Sequence, residues 1–234
     1  MLVAIHQPHY LPWLGYIEKA DRADVFVFLD TVDFSRGGWQ NRNYIGAGPR
    51  RQLLSVPIRH SGAARSLDET PISYDRNWRR KHRDAILQAY ASAAHAKDFR
   101  EDLHRFYDRQ WGTLAELGID SSRQIFDIFG VRTECLVASE LGPFSARKSG
   151  LLVEICQRLG ATGYLTGDGS TYLDVAQFEA AGLRVVWQRF HHPVYRQGRQ
   201  PFLSHLAGWD MLFHMGAAGA LGHLREAQCA KVDA

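Results

Sequence analysis

The stretch "TECLVASELGPFSARKSGLLVEICQRLGATGYLTGDGSTYLDVAQFEAAGLRVVWQRF" (residues 133–190) alternates short apolar runs with longer amphipathic ones. Residues 133–139 read as a strand, 149–160 as a helix closed by Gly160, and 163–167 as a second strand. Residues 171–182 then read as a helix and 183–190 as a last strand. A chain that alternates this way lays its strands side by side in a parallel sheet and covers them with the intervening helices.

The same rhythm opens the chain. "LVAI" (2–5) is a short apolar strand, "WLGYIEKADRAD" (13–24) a helix, and "VFVFLD" (25–30) a run too short and apolar for an amphipathic helix. "QLLSVPI" (52–58) reads as a third strand, with Pro57 at its end or on a sheet edge. Between the two α/β stretches the pattern is helical. One helix is expected over 77–93, capped by Asp75, with Trp78, His82, Ile86 and Tyr90 on one face. A second is expected over 99–117 with Gly118 as its stop, and a shorter one over 121–130. Residues 191–205 read as a loop, 208–216 as the start of a short terminal helical region, and the tail from Arg225 as frayed. The expected class is α/β: an open, Rossmann-like, mostly parallel sheet with flanking helices. It is expected to form one domain over 1–234, in which 75–130 make a helical subdomain or lid.

Composition narrows the function. The 234 residues are 45% apolar, enough for a packed core without staples. Net charge is +3 from 28 basic and 25 acidic residues, which argues against nucleic-acid binding by bulk charge. No apolar run approaches the ~20 residues of a membrane span, and no secretory signal is read at the start. Cys135, Cys156 and Cys229 are odd in number and far apart, as reduced cytoplasmic thiols would be, with Cys156 on an apolar helix face.

In open α/β sheets ligands bind beyond the carboxyl ends of the strands. The first strand runs into His6, Gln7 and His9; the second ends at Asp30. The strand 163–167 runs into Asp168, Ser170 and Thr171, and the last ends near His191 and His192. A parallel sheet brings these segments to one rim. Imidazoles before a helix N-terminus suit phosphoryl oxygens, as in nucleotidyltransferases with a His-x-Gly-His signature, although the spacing here is His-x-x-His. Tyr10, Trp13 and Tyr16 offer rings to pack the loop or stack a ligand. Trp39, Gln40, Asn41 and Arg42 cluster a flat face, amides and a guanidinium suited to a polar ligand. Arg147 and Lys148 stand at the start of a helix whose dipole cations oppose, which hints at a ligand, with exposed charges as the plainer reading. Ser170 or Thr171 also serves as a helix cap in a plainer reading. No nucleophile–base pair and no metal set is fixed by spacing, and no motif names a cofactor.

"IHQPHYLPWLGYIEKADRADVFVFLD", "WQNRN", "YLTGDGSTYLD" and "PVYRQGRQPFLSHLAGWDMLFHMG" resemble the WbqC-like protein family along essentially the whole chain. The resemblance carries over His6, Gln7, Pro8, Tyr10, Trp13, Asp30, Trp39, Gln40, Asn41, Arg42, Tyr172, Tyr195, Gln197 and Asp210. Asp168 and the Gly208–Trp209 pair depart from its pattern. The resemblance implies a bacterial O-antigen, capsule or natural-product context, with acylation or aminoacylation of an amino sugar or other small amine.

The expected function is therefore a small-molecule transferase, with an acyl or aminoacyl carrier as a partner. His6 would be its general base and Asp30 would orient it or bind the amine. Gln7, His9, Tyr10, Trp13, Trp39, Gln40, Asn41, Arg42, Asp168, Ser170, Thr171, Tyr172, Tyr195 and Gln197 would bind substrate. Two alternatives stand beside it: a nucleotidyltransferase-like enzyme using ATP and magnesium, and a non-catalytic binding or scaffold protein.

Overall fold

The structure, a computed structural model, describes residues 1–59, 65–167, 173–198 and 201–229. In chain order its strands are β1 (Leu2–His6), β2 (Val25–Phe28), β3 (Arg42–Ala47), β4 (Arg50–Ser55), β5 (Glu134–Val137), β6 (Gly163–Gly167) and β7 (Arg184–Gln188). Its helices are α1 (Leu14–Arg22), α2 (Trp78–Ala89), α3 (Arg100–Asp108), α4 (Leu114–Phe129), α5 (Ser149–Arg158), α6 (Val175–Ala180) and α7 (Trp209–Cys229). Five strands form one parallel sheet in the order β5-β2-β1-β6-β7. The open α/β class read from the sequence is thus present. Among the described residues no helix is long and apolar enough to cross a membrane.

The apolar runs of β1 and β2 follow from burial on both faces. Val3, Ile5, Val25 and Val27 pack into one cluster with Leu152 and Ile155 of α5 and Phe178 of α6. Ala4, Phe26 and Phe28 point the other way, into a cluster with Ile17, Ile125, Phe126 and Phe213. That second cluster continues without a break into the helical block through Trp78, Ile86, Leu103 and Phe106.

Several local expectations are corrected. Residues 99–117 do not form one helix: α3 ends at Asp108 and α4 starts afresh at Leu114. The new start is a capping box, in which the Thr113 hydroxyl accepts from Glu116 N at 3.3 Å and the Glu116 carboxylate accepts from Thr113 N at 3.4 Å. Gly118 does not stop a helix but sits inside α4. A Cβ there would lie 2.9 Å from Pro8 Cβ and 3.0 Å from its carbonyl carbon, so the glycine admits the β1–α1 loop. Asp75 bonds Ser73, and Asn77 is the residue that precedes α2. The expected third strand joins no parallel neighbour. It ends at Ser55, before Pro57, as β4 of an antiparallel hairpin whose other arm, β3, begins inside "WQNRN". Helix α6 begins at Val175 rather than at Thr171, which lies outside the described residues. The tail stays helical to Cys229, held where the Arg225 guanidinium donates twice, at 2.7 Å, to Asp21 of α1.

Candidate active-site cleft

Strand β1 leads through α1 to β2 on one side, while β5 leads through α5 to β6 on the other. The chain therefore reverses its direction of winding across β1 and β6, and a crevice opens at their carboxyl ends. A cleft of about 1010 Å³ lies there. Its floor comes from His6, Gln7, His9, Tyr16, Lys19, Thr166, Gly167 and Gln188, and its wall and mouth from Lys148, Trp13, Trp39, Gln40, Phe190 and His205.

The β1–α1 loop is clamped from two sides. On one, Gln40 Nε2 donates to Gln7 Oε1 at 2.6 Å, Tyr10 N donates to the Gln40 carbonyl at 3.0 Å, and Asn43 Nδ2 donates to the Leu11 carbonyl at 2.5 Å. On the other, α4 offers two hydroxyls: Ser121 accepts from Leu11 N at 2.9 Å, and Ser122 donates to the His9 carbonyl at 3.3 Å. Between these clamps Leu11 is held at φ 51°, a conformation a leucine adopts only under constraint. The Trp13 indole folds over the start of α1, where a Cβ on Gly15 would come within 2.3 Å of it. It stacks on His205 at 5.4 Å and meets Phe190 edge-on at 5.1 Å. Of the residues that line the cleft, His205, at φ 57°, and Lys148, at φ 53°, are positive-φ non-glycine residues.

The floor is basic and largely buried. His6 Nδ1 donates to the Gln7 carbonyl at 3.1 Å, which leaves Nε2 as the acceptor. The rings of His6 and His9 meet edge-on at 4.7 Å, and His9 stacks on Tyr16 at 4.9 Å. Burial holds His6 well below the usual imidazole value, helped by the Lys19 charge and by His9. Burial and Lys19 push His9 down to about 3. Burial also brings the Lys19 ammonium down to about 8, against the pull of Glu18. That carboxylate accepts from Gln188 and lies 3.4 Å from Arg22. Among the described residues no carboxylate lines the cleft and none pairs with Lys19.

The expected site residues divide into three groups. His6, Gln7, His9, Trp13, Trp39 and Gln40 meet in the cleft, with Lys148 opposite them. Others hold the scaffold instead. Asp30, expected beside His6, accepts from Ser139 N at 3.0 Å and Ser139 Oγ at 2.6 Å, so it fixes the turn after β5. Tyr10 is fully buried, bonded to His82 Nδ1 at 2.8 Å and to the Tyr107 hydroxyl at 2.5 Å. Asn41 donates to the Val56 carbonyl at 2.8 Å, and Arg42 starts β3 away from the cleft lining. Tyr195 and Gln197 both donate to Asp210 Oδ2 at 2.8 Å, and Gln197 also brackets Leu203, which ties the 191–205 loop to α7. Asp168, Ser170, Thr171 and Tyr172 lie outside the described residues. No residue of 75–130 lines the cleft, and neither do Arg147, His191 or His192.

Lys19, Gln188 and His205 line the cleft without being among the expected site residues. The signal for Lys19 was its spacing of four from Gly15, which puts both on one face of α1. Gln188 is the last residue of β7 and His205 the last of the 191–205 loop, where no periodicity marks a function.

The chain matches the model of the WbqC-like protein family over residues 7–220. It is also 29% identical over 223 residues to the uncharacterized protein Rv1507c of Mycobacterium tuberculosis, covering 92% of this chain and 94% of that one. No solved structure matches the chain.

Proposed function

This chain belongs to the WbqC-like protein family, and we propose that it is a small-molecule transferase of a polysaccharide or natural-product pathway that passes an acyl or aminoacyl group to an amine. The observation that carries this reading is His6. It stands at the carboxyl end of the central strand and lines the cleft, with Nδ1 fixed on a backbone carbonyl and Nε2 left to accept a proton. Its depressed basicity keeps the ring neutral near pH 7, the state a general base needs. In the proposed step the acceptor amine attacks the acyl carbonyl to form the C–N bond, His6 Nε2 takes the amine proton, and the bond between the acyl carbon and the donor's leaving group breaks with its electron pair passing to that group. The Asp30 carboxylate accepts from Ser139, so the step is written without it. Trp13, Trp39, Phe190 and His205 give the mouth flat faces for a sugar or another ring.

The test is a melting screen of the purified protein against acyl and aminoacyl donors, amino sugars and nucleotides, followed by turnover with whatever binds. A ligand at about 100 times its dissociation constant stabilises by roughly 2.7 kcal/mol. His6→Ala is expected to lower turnover by about 10²–10⁴-fold without losing the ligand. Turnover within tenfold of the parent would remove His6 from the chemistry. Release of pyrophosphate from ATP would instead make the chain an activating enzyme.

A further inference from the structure

Three basic groups share the cleft floor, and among the described residues no acid faces them. Lys19 is only 6% exposed and His9 only 7%, yet both line a cleft large enough for a nucleotide-sized molecule. Burying an ammonium without a partner is costly, and such a group is retained where a ligand completes it. His9, which lines the same cleft, has an enclosed Nδ1 with no hydrogen-bond partner among the described residues. Opposite them β6 ends in Gly167, where a Cβ would sit 3.6 Å from Lys19 Nζ, so bare backbone faces the amine.

We propose that Lys19 and His9 form an oxyanion subsite that receives a phosphoryl group of the donor, so that the group transferred arrives on a phosphorylated leaving group. This rests on the transferase reading of the cleft and adds the class of donor to it. A carboxylate would bring one charge to the floor, whereas a phosphoryl group brings up to two, with three oxygens for separate donors. Lys148, the residue at the N-terminal boundary of α5, lines the same cleft and reinforces the sign. The other titratable groups facing the floor are His6 on β1, Tyr16 on α1 and Tyr164 on β6. Glu18, on the same helix as Lys19, is bonded to Gln188. Burial is the larger cause of the depressed imidazole values, and an anion set among these groups offsets the second cause, the Lys19 charge, so its binding favours proton uptake.

The experiment is calorimetric titration of the full chain at pH 7 with pyrophosphate, AMP and acetate. Each runs in two buffers of different ionisation enthalpy, alongside a melting screen with amino sugars. The expected result is saturable binding of pyrophosphate or AMP with net proton uptake, acetate at least tenfold weaker, and a further loss of tenfold or more in Lys19→Met that Lys19→Arg partly restores. Proton uptake is read on the parent protein, so it stands even if Lys19→Met folds poorly. Acetate binding as tightly as pyrophosphate would overturn the phosphoryl assignment. Phosphorylated probes that bind without proton uptake and without a Lys19 effect would overturn the subsite. Amino sugars that bind while no phosphorylated probe does would overturn the subsite and leave the transferase reading intact; silence from both classes would remove both.

Discussion

Asp210 is fully buried, and among the described residues it accepts from the Tyr195 hydroxyl and the Gln197 amide of the 191–205 loop. Removing the Tyr195 hydroxyl takes one hydrogen bond from a buried carboxylate. Tyr195→Phe is therefore expected to lower stability by about 1–3 kcal/mol, measured by urea denaturation. Because the loop ends at His205, against Trp13, the variant is also expected to weaken ligand binding in the cleft. A variant as stable as the parent would mean that the loop is held by its apolar contacts alone. Tyr195, Gln197 and Asp210 were legible in the sequence as positions that matter. Their role was not, because a tyrosine that binds substrate and one that pins a loop look the same until the partner is seen.

Among the elements, α4 shows where local signals and tertiary packing part. Its start was legible, since Thr113 and Glu116 stand in capping-box spacing, yet the apolar face ran on from the preceding helix and masked it. Its centre was not, for Gly118 reads as a stop until Pro8 is placed against it. Gly118→Ala gains about 1 kcal/mol of helix propensity but forces a methyl group into the β1–α1 loop. Overpacking of this kind costs about 1–3 kcal/mol. The expected outcome is a lower melting temperature together with weaker cleft binding, since the displaced loop carries His9 and follows directly on His6. A more stable variant would show that the loop yields freely. The β3–β4 hairpin was half legible for a related reason. "WQNRN" drew attention through its polar groups, and those groups clamp the neighbouring loop and begin a strand. The parallel sheet was the most legible feature, because burial on both faces writes strands as unbroken apolar runs.

For the whole molecule, acid sensitivity follows from its buried imidazoles. His6 and His9 in the cleft and His82 against Tyr10 are all held neutral chiefly by burial, His9 at about 3 and His82 at about 4. Folded values below the unfolded one mean that the unfolded chain binds more protons once the pH drops under about 6.5. Stability is then lost as pH falls from there towards 4, by up to about 1.4 kcal/mol per pH unit for each histidine. Burial raises Asp30 and Glu18, which act with the opposite sign and offset part of the loss. Denaturation at pH 7 and pH 5 should show a clear fall, and equal stability at both would mean that these rings titrate freely. The basic floor itself was only partly legible. His6 and His9 stand together in the sequence, whereas the burial of Lys19 depends on the ends of β6 and β7, about 150 residues further on.

The seating of β1 between β2 and β6 has a consequence in time. Val3 finds Val25 close along the chain, but Leu2 must find Gly163, so the two sides of the central strand close at different loop lengths. Pairings of such long separation carry a larger entropic barrier and slow the folding of the chains that need them. A nascent polypeptide can lay β1, α1 and β2 together while most of the sequence is still unmade. The crevice, however, has one wall on each side of that late pairing. Its capacity to bind arises only in the step that docks the final third of the chain, and a translation product halted before β6 would carry His6 and Lys19 with no cleft around them.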